Sequence, residues 1–297
     1  MKKIMTIAAS AIMLTACGNK EKEYDATGTF EATEVTIAAE QNGALTMFDV
    51  NEGDEIAFGK EVGLIDTTQI WLKIKQMGAT KEIYQSQKPD METQIAATRQ
   101  QLAKAKQDQQ RYKELVADGA APSKTLDDAN NQVQVLQKQL NAQISSLSTN
   151  TNALNKQMAA TDVQVSQLQD QLKKCHVSAP IKGVVLDKYV EKGEFVSIGK
   201  PLFKMADTGQ MFLRAYVTSA QLQNIKVGQK AKVFADYGDD NKKEYEGTVT
   251  WISSKSEFTP KTILTDDERA DLVYAVKIAV KNDGYIKIGM YGEVKFN

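Results

Sequence analysis

Apolar positions along this chain follow two different rhythms. Over residues 43–62, and again over 183–202, they come as short runs separated by turn residues. Ala44-Leu45 and Val184-Val185 read as strands. Asn51-Glu52-Gly53-Asp54 and Glu191-Lys192-Gly193-Glu194 read as turns, where glycine takes positive φ without a Cβ penalty. The two stretches are copies. Gly43, Val50, Gly53, Asp54, Ile56, Gly59, Lys60 and Val62 recur 140 residues later as Gly183, Val190, Gly193, Glu194, Val196, Gly199, Lys200 and Leu202. Each copy is a strand–turn–strand–turn–strand unit too short to bury its own core. Two copies pressed together are expected to form a sandwich.

Between the copies the rhythm becomes helical. Leu126, Val133, Leu140, Leu147, Leu154, Thr161, Leu168 and Cys175 recur every seven residues. Ala129 and Leu136 flank this row on one side, and Ile144, Met158, Val165 and Leu172 on the other, which predicts a coiled-coil seam. Upstream, Ile95, Leu102 and Val116 form a second row interrupted by Gln109, with Thr98, Ala105 and Tyr112 beside it. The arms meet at Ala117-Asp118-Gly119-Ala120-Ala121-Pro122, where Gly119 suits a helix C-cap and Ser123 the N-cap of the returning helix. Gly78 and Pro89 are expected to kink or break the upstream arm, with a boundary near Lys88. The downstream arm, at roughly 50 residues, spans about 75 Å.

The last third is β-rich, with strand patterns at 211–217, 230–236, 247–252, 272–280 and 290–296. Five strands with intervening turns predict a small antiparallel barrel, which residues 27–35 are expected to join. Thr265-Asp266-Asp267-Glu268 fits a capping box.

Composition narrows the function. Among 297 residues, 37 Lys and Arg against 38 Asp and Glu give a net charge of −1, which points away from nucleic acid. His176 is the single histidine, and beside Cys175 it has no further ligand or base in sequence range, so a structural position is expected and no metal or nucleophile. No G-x4-G-K-[ST] loop is present. These observations predict a non-catalytic protein without a cofactor. The N-terminus is more telling. Lys2 and Lys3 precede an apolar stretch, residues 4–14, that is too short to span a bilayer. Leu14-Thr15-Ala16-Cys17 then resembles the bacterial lipobox, which predicts cleavage before Cys17 and lipidation of its thiol.

The layout of split half-motif, hairpin insert and barrel resembles the periplasmic adaptor family (membrane fusion proteins, HlyD-like). Val177-Ser178-Ala179-Pro180-Ile181-Lys182-Gly183-Val184-Val185 is similar to its A-P-x-x-G-x-V signature, and Gly289-Met290-Tyr291 to its closing strand. The resemblance implies an elongated α+β fold: a split lipoyl-like β-sandwich with an inserted antiparallel coiled-coil hairpin, followed by a small antiparallel β-barrel. The implied divisions are 1–16 signal peptide, 17–33 tether and first strand, 34–67 first half-motif, 68–174 hairpin, 175–207 second half-motif, and 208–297 barrel and closing strand. It implies an adaptor held to the cell envelope by its lipid, in the periplasm and on the inner membrane. Such an adaptor packs as a homo-oligomeric ring and links an inner-membrane transporter to an outer-membrane duct. Duct contact is implied for Arg111, Leu115, Gly119 and Ser123, although Pro122 stands where the family usually has serine. Phe258-Thr259-Pro260-Lys261-Thr262, Glu268-Arg269 and Leu272-Val273-Tyr274 resemble members that serve ABC-type exporters, which implies transporter contact through Phe258, Pro260 and Arg269. The chain's ending at Asn297, directly after the closing strand, leans the same way. An RND-type partner is the runner-up. A lipoyl or biotinyl carrier lacks its modified-lysine turn, which the hairpin replaces. A coiled-coil surface lipoprotein or adhesin would leave the two half-motifs without explanation.

Overall fold

The repeat becomes a two-fold exchange of backbone bonds. The computed structural model describes residues 24–238, 241–258 and 272–297. It divides into two units, one built from the chain up to residue 63 with residues 177–297, the other from residues 64–176. The first copy supplies β1 (Ala26–Ala38), β2 (Gly43–Phe48), β3 (Glu55–Ile56) and β4 (Glu61–Ile65); the second supplies β5 (His176–Ser178), β6 (Gly183–Lys188), β7 (Phe195–Val196) and β8 (Pro201–Thr218). β2 pairs with β7 through Gly43 to Val196 and Ala44 to Phe195. The same pairing recurs with the roles exchanged, as β6 meets β3 through Gly183 to Ile56 and Val184 to Glu55. Bonds outside the ladders obey the same offset. The Leu45 amide donates to the Glu194 carbonyl at 2.9 Å and the Val185 amide to the Asp54 carbonyl at 3.0 Å; Gly59 donates to Ala179 and Gly199 to Ala39, each at 2.8 Å. Gly53, Gly59, Gly193 and Gly199 all have positive φ. Equivalent side chains are buried in both copies: Leu45 with Val185, Val50 with Val190, Ile56 with Val196, and Val62 with Leu202. Each half supplies the other's missing strand partners, so neither half has a closed core alone.

The remaining strands close a barrel. β9 (Lys230–Asp236), β10 (Lys242–Phe258), β11 (Leu272–Lys281) and β12 (Tyr291–Phe296) stand in the order β1-β12-β9-β10-β11-β8, and β8 pairs back onto β1. The barrel therefore has six strands, with β1 as the closing member. Phe30, Met211, Leu213, Val233, Val249, Ile278 and Val294 fill it. β1 and β8 each serve barrel and sandwich. Ala32 pairs with Met211 but Thr33 with Asp207, which leaves residues 208–210 as a bulge that re-aims both strands. Asn282 staples the bulge. Its backbone amide donates to the Gly209 carbonyl at 3.0 Å. Its side-chain amide donates to the Thr208 carbonyl at 2.9 Å, and its Oδ1 accepts from Gly284 and Ile286. A short helix, α4 (Ser219–Leu222), leads from β8 toward β9, capped reciprocally by Thr218 and Gln221.

The second unit is helical: α1 (Thr68–Ser86), α2 (Met91–Ala117) and α3 (Ser123–Lys173). Its base is tied by the Ile65 amide, which donates to the Cys175 carbonyl at 2.9 Å. Lys81 of α1 meets Asp162 of α3, 81 residues away, whereas Gln109 of α2 meets Asn130 of α3, only 21 away. The separation shrinks toward the turn, so both upstream helices run antiparallel to α3. Leu140, Leu154, Thr161 and Leu168 of the seven-residue row are buried, as is Leu136 beside it; Leu126, Val133 and Leu147 are half-buried. Ile95 and Leu102 pack against Leu136 and Leu140. Gln109, which interrupts the upstream row, is accommodated by a 2.7 Å bond from its Nε2 to Asn130 Oδ1. The upstream arm breaks between Ser86 and Met91, at Pro89, where Asp90 caps α2 by accepting from the Thr93 amide. The expected break at Gly78 does not occur. α1 runs through it unbroken, because one glycine weakens a helix by only about 1 kcal/mol and removes no hydrogen bond. Among the described residues no helix is long and apolar enough to cross a membrane. The Thr265–Glu268 capping box lies outside the described residues.

Candidate functional site

The turn between α2 and α3 is shaped by backbone geometry. Asp118 is the C-cap of α2, and Gly119 follows with φ +70°. The Ala120 amide donates to the Leu115 carbonyl at 2.8 Å and the Gly119 amide to the Val116 carbonyl at 3.1 Å, the paired bonds of a Schellman stop. α3 then starts differently from the sequence expectation. Pro122, not Ser123, is the N-cap; Ser123 is the first helical residue, and no side-chain cap is made. Proline's φ of −67° with ψ 145° places it just outside the helix, and Thr125 donates both its amide and its hydroxyl to the Pro122 carbonyl.

This geometry sets out Arg111, Leu115, Gly119 and Ser123 around the turn, all of them exposed. Arg111 and Leu115 are four residues apart and so share a face of α2. The Arg111 side chain is 62% exposed, steadied by an ion pair to Asp108 at 3.0 Å and lying 5.3 Å from the Tyr112 ring. Leu115 is 37% exposed near the C-terminal end of α2. Sequence reading missed a cleft just below. Alanines at 105 and 129 leave a space of about 600 Å³ between α2 and α3, walled by Tyr112 and Leu136 and edged by Asp108 and Asp128. The only signal for it was the small residues at seam positions.

The other predicted residues fall elsewhere. Phe258 is the last residue of β10, paired with Leu272 across β11. Its neighbour Glu257 accepts from Arg214 Nη2 at 2.7 Å, and Arg214 with Lys277 also faces Glu31, which makes an ion network on the barrel wall. The bond to Glu257 raises the Arg214 guanidinium above its ordinary range. Cys17, Pro260 and Arg269 lie outside the described residues. The Cys175 thiol is buried and donates to the Gln171 carbonyl; burial first, and then the Asp66 carboxylate, push it up, away from a reactive thiolate.

The comparisons with known proteins agree with this architecture. The family described as RND MFP, barrel-sandwich hybrid domain, matches residues 33–208. A UPF0194 membrane protein of Yersinia pseudotuberculosis serotype O:3 (strain YPIII) is 29% identical over 290 residues, covering 91% of this chain and 88% of the relative. Another from Acidithiobacillus ferridurans is 26% identical over 291 residues, covering 91% and 86%. The crystal structure of MacA from Actinobacillus actinomycetemcomitans superimposes with a TM-score of 0.57 at 20% identity, over 92% of this chain and 78% of that one. A membrane fusion protein of Streptococcus pneumoniae R6 gives 0.54 at 16% identity, over 91% and 97%. These two likenesses establish a shared fold. Because the family match takes in both half-motifs and the whole hairpin between them, this chain belongs to the membrane fusion proteins, the HlyD-like family of non-enzymatic periplasmic adaptors.

Proposed function

We propose that this protein is the lipid-anchored adaptor of a tripartite efflux or secretion pump, tethered through Cys17 and joining an ABC-type inner-membrane transporter to an outer-membrane duct. Membrane fusion proteins as a family are adaptors of efflux pumps. The observation that carries the finer reading is the hairpin tip. The Schellman stop at Gly119 leaves Arg111 and Leu115 displayed at the end of two packed helices, and α3 alone is 51 residues long, about 75 Å. An arm of that reach with a partly exposed leucine and an exposed arginine at its tip suits docking to a distant partner. The chemistry asked of the chain is positional. Energy comes from the transporter, and the adaptor holds the two ends of the conduit together.

Phe258, Pro260 and Arg269 are assigned to the transporter side on their resemblance to adaptors of ABC-type exporters. The RND-type reading is the second one, and one observation favours it: the matching family carries RND in its description. Photo-crosslinkers placed at 111, 115 and 258 decide between them. Tip crosslinks to an outer-membrane duct together with barrel crosslinks to an ABC permease support the first reading. Barrel crosslinks to an RND transporter support the second. Capture of no pump component at any of the three positions overturns both. The anchor is tested separately: a diacylglyceryl cysteine at the mature N-terminus is expected by mass spectrometry, and Cys17→Ala is expected to move the protein from the membrane to the soluble periplasmic fraction.

A further inference from the structure

The hairpin packs as two clusters with a gap between them. Ile95, Leu102, Leu136 and Leu140 form the tip-side cluster, which reaches half-buried Met91 on α2 and Leu147 on α3 and goes no further toward the base. On the base side α3 buries Leu154, Thr161 and Leu168, whereas α1 opposite buries none of its residues. The upstream arm is broken between the clusters, where residues 87–90 join α1 to α2. Lys81 opposite Asp162 and Gln109 opposite Asn130 fix the level of that break. At 1.5 Å per residue along each arm, it stands beside about residues 152–155 of α3.

α3 runs past the break without interruption, and a stiff helix there would act as a splint. Its composition removes that stiffness. Seven of the eight residues from 145 to 152 are Ser, Thr or Asn, with Leu147 the exception. Such side chains compete for backbone hydrogen bonds and weaken a helix interior. The stretch ends at the level of the break. The Thr149 hydroxyl donates back to the Ser145 carbonyl at 2.9 Å, a bond of the kind that bends helices. Thr151 takes the place between Ile144 and Met158 on one side of the seam, so the apolar row is interrupted at this height too. Its hydroxyl oxygen is buried and makes no hydrogen bond. An unpaired buried hydroxyl costs stability, so Thr151 does not tighten the seam. Weak points in both arms thus meet at one height.

We propose that this height is a built-in joint, at which the tip half of the hairpin, α2 with residues 123–144, tilts against the base half, α1 with residues 153–173. A paired arm bends only where both helices yield together. The upstream arm yields by its break, and α3 by its run of Ser, Thr and Asn. Each half moves as a body because its cross-arm contacts lie within it: the cluster around Leu102 and Leu140 and the Gln109 to Asn130 bond in the tip half, and the Lys81 to Asp162 pair in the base half. The use of the tilt rests on the adaptor reading, since an arm engaged at both ends then follows a shifting partner without losing its tip contact. What the joint adds is where the arm gives way.

The test uses the full-length protein with Cys175→Ser in lipid nanodiscs, carrying pairs of spin labels read by pulsed electron resonance. Ala79→Cys with Gln100→Cys labels two exposed positions astride the break. Ala96→Cys with Lys113→Cys labels two exposed positions within α2 alone, and the chain without added cysteines supplies the background. The distance distribution across the break is expected to be at least twofold broader than the one within α2. Equal widths overturn the joint. Ser145→Ala, Ser146→Ala, Thr149→Ala and Asn150→Ala together replace four exposed side chains outside the seam. This variant is expected to narrow the broad distribution to the width found within α2, with thermal melting unchanged or higher. A distribution that stays broad overturns the part assigned to α3. If tip crosslinks capture a duct while the two widths are equal, the adaptor reading stands and the joint falls. If the widths differ as expected while no crosslink captures a pump component, the joint stands and the adaptor reading falls.

Discussion

The Gly53 amide donates to the Val185 carbonyl at 2.9 Å, and the bond has a twin 140 residues on, where the Gly193 amide donates to the Leu45 carbonyl at 2.8 Å. Both glycines sit near φ +90°, and a Cβ on either meets nothing within 4 Å. The penalty for alanine at either position is therefore backbone strain alone, about 1–2 kcal/mol. Gly53→Ala and Gly193→Ala are expected to lower the urea midpoint of the sandwich–barrel unit by matching amounts. Gly183→Ala differs in kind, because its Cβ would lie 2.2 Å from the Ala206 carbonyl oxygen, in the β6–β8 ladder. Backbone cannot yield as a side-chain tip can, so a loss of about 3 kcal/mol or failure to fold is expected. Equal effects at 53 and 183 would contradict this account.

Asp283 gives the barrel a pH signature. The Lys243 ammonium, the Tyr285 amide and the Tyr245 hydroxyl all bond its carboxylate and hold it down at about 2, against an ordinary 3.8. A depressed folded value stabilises the fold above pH 3.8, and the contribution disappears as pH falls toward 2. The wild-type melting temperature is expected to fall across that window more steeply than that of Asp283→Asn, the two curves converging near pH 2. Parallel curves throughout would show that the pairing is indifferent to folding. The carboxylate is about half exposed, so salt should shrink the difference.

What could be read from the sequence follows the range of the interactions. The repeat was legible because each turn needs its own glycine, and the hairpin because buried Leu140, Leu154 and Leu168 keep a seven-residue step. Closure of the barrel was visible only in part. Residues 27–35 look like a strand, yet nothing local reveals that β1 pairs with both β8 and β12. The bulge at 208–210 depends on Asn282, more than 70 residues away, and leaves no local trace. Ser123 misled because serine before a helix is an N-cap signal; Pro122 holds that position through its fixed φ, and Thr125 donates to the Pro122 carbonyl. α1 shows no clean seam in the sequence, because half-buried Ile70 and Ile74 and exposed Leu72 and Ile83 fall on different faces of the helix.

At the tip, stability and function should separate. Arg111 is exposed and its pair with Asp108 is a surface ion pair, worth about 0–1 kcal/mol. Arg111→Ala and Leu115→Ala are therefore expected to shift melting little, each by less than about 1 kcal/mol, and to reduce duct capture at least tenfold. Gly119→Ala is expected to do both, since φ +70° strains any L-residue by about 1–2 kcal/mol and misplaces the turn. Duct capture that follows melting in all three variants would mean that the tip residues only hold the turn.

The seam offers a sharper contrast between two buried residues. Leu140 packs with Ile95, Leu102 and Leu136, so Leu140→Ala leaves a cavity and is expected to weaken the tip half of the hairpin by about 2–5 kcal/mol. Thr161 occupies the same row three heptads on, but its hydroxyl only donates back to the Gln157 carbonyl, 3.0 Å away in its own helix. That carbonyl already lies within reach of the Thr161 amide through the helical ladder. Thr161→Val keeps the shape and removes a donor whose loss strands no partner, so a change within about 0.5 kcal/mol is expected. Hydrogen exchange along α3 reads both: faster exchange in the tip half for Leu140→Ala, and unchanged protection around residue 161 for Thr161→Val. If Thr161→Val also opened the helix, the seam would depend on its hydroxyls and could not be treated as an apolar stripe with tolerated interruptions.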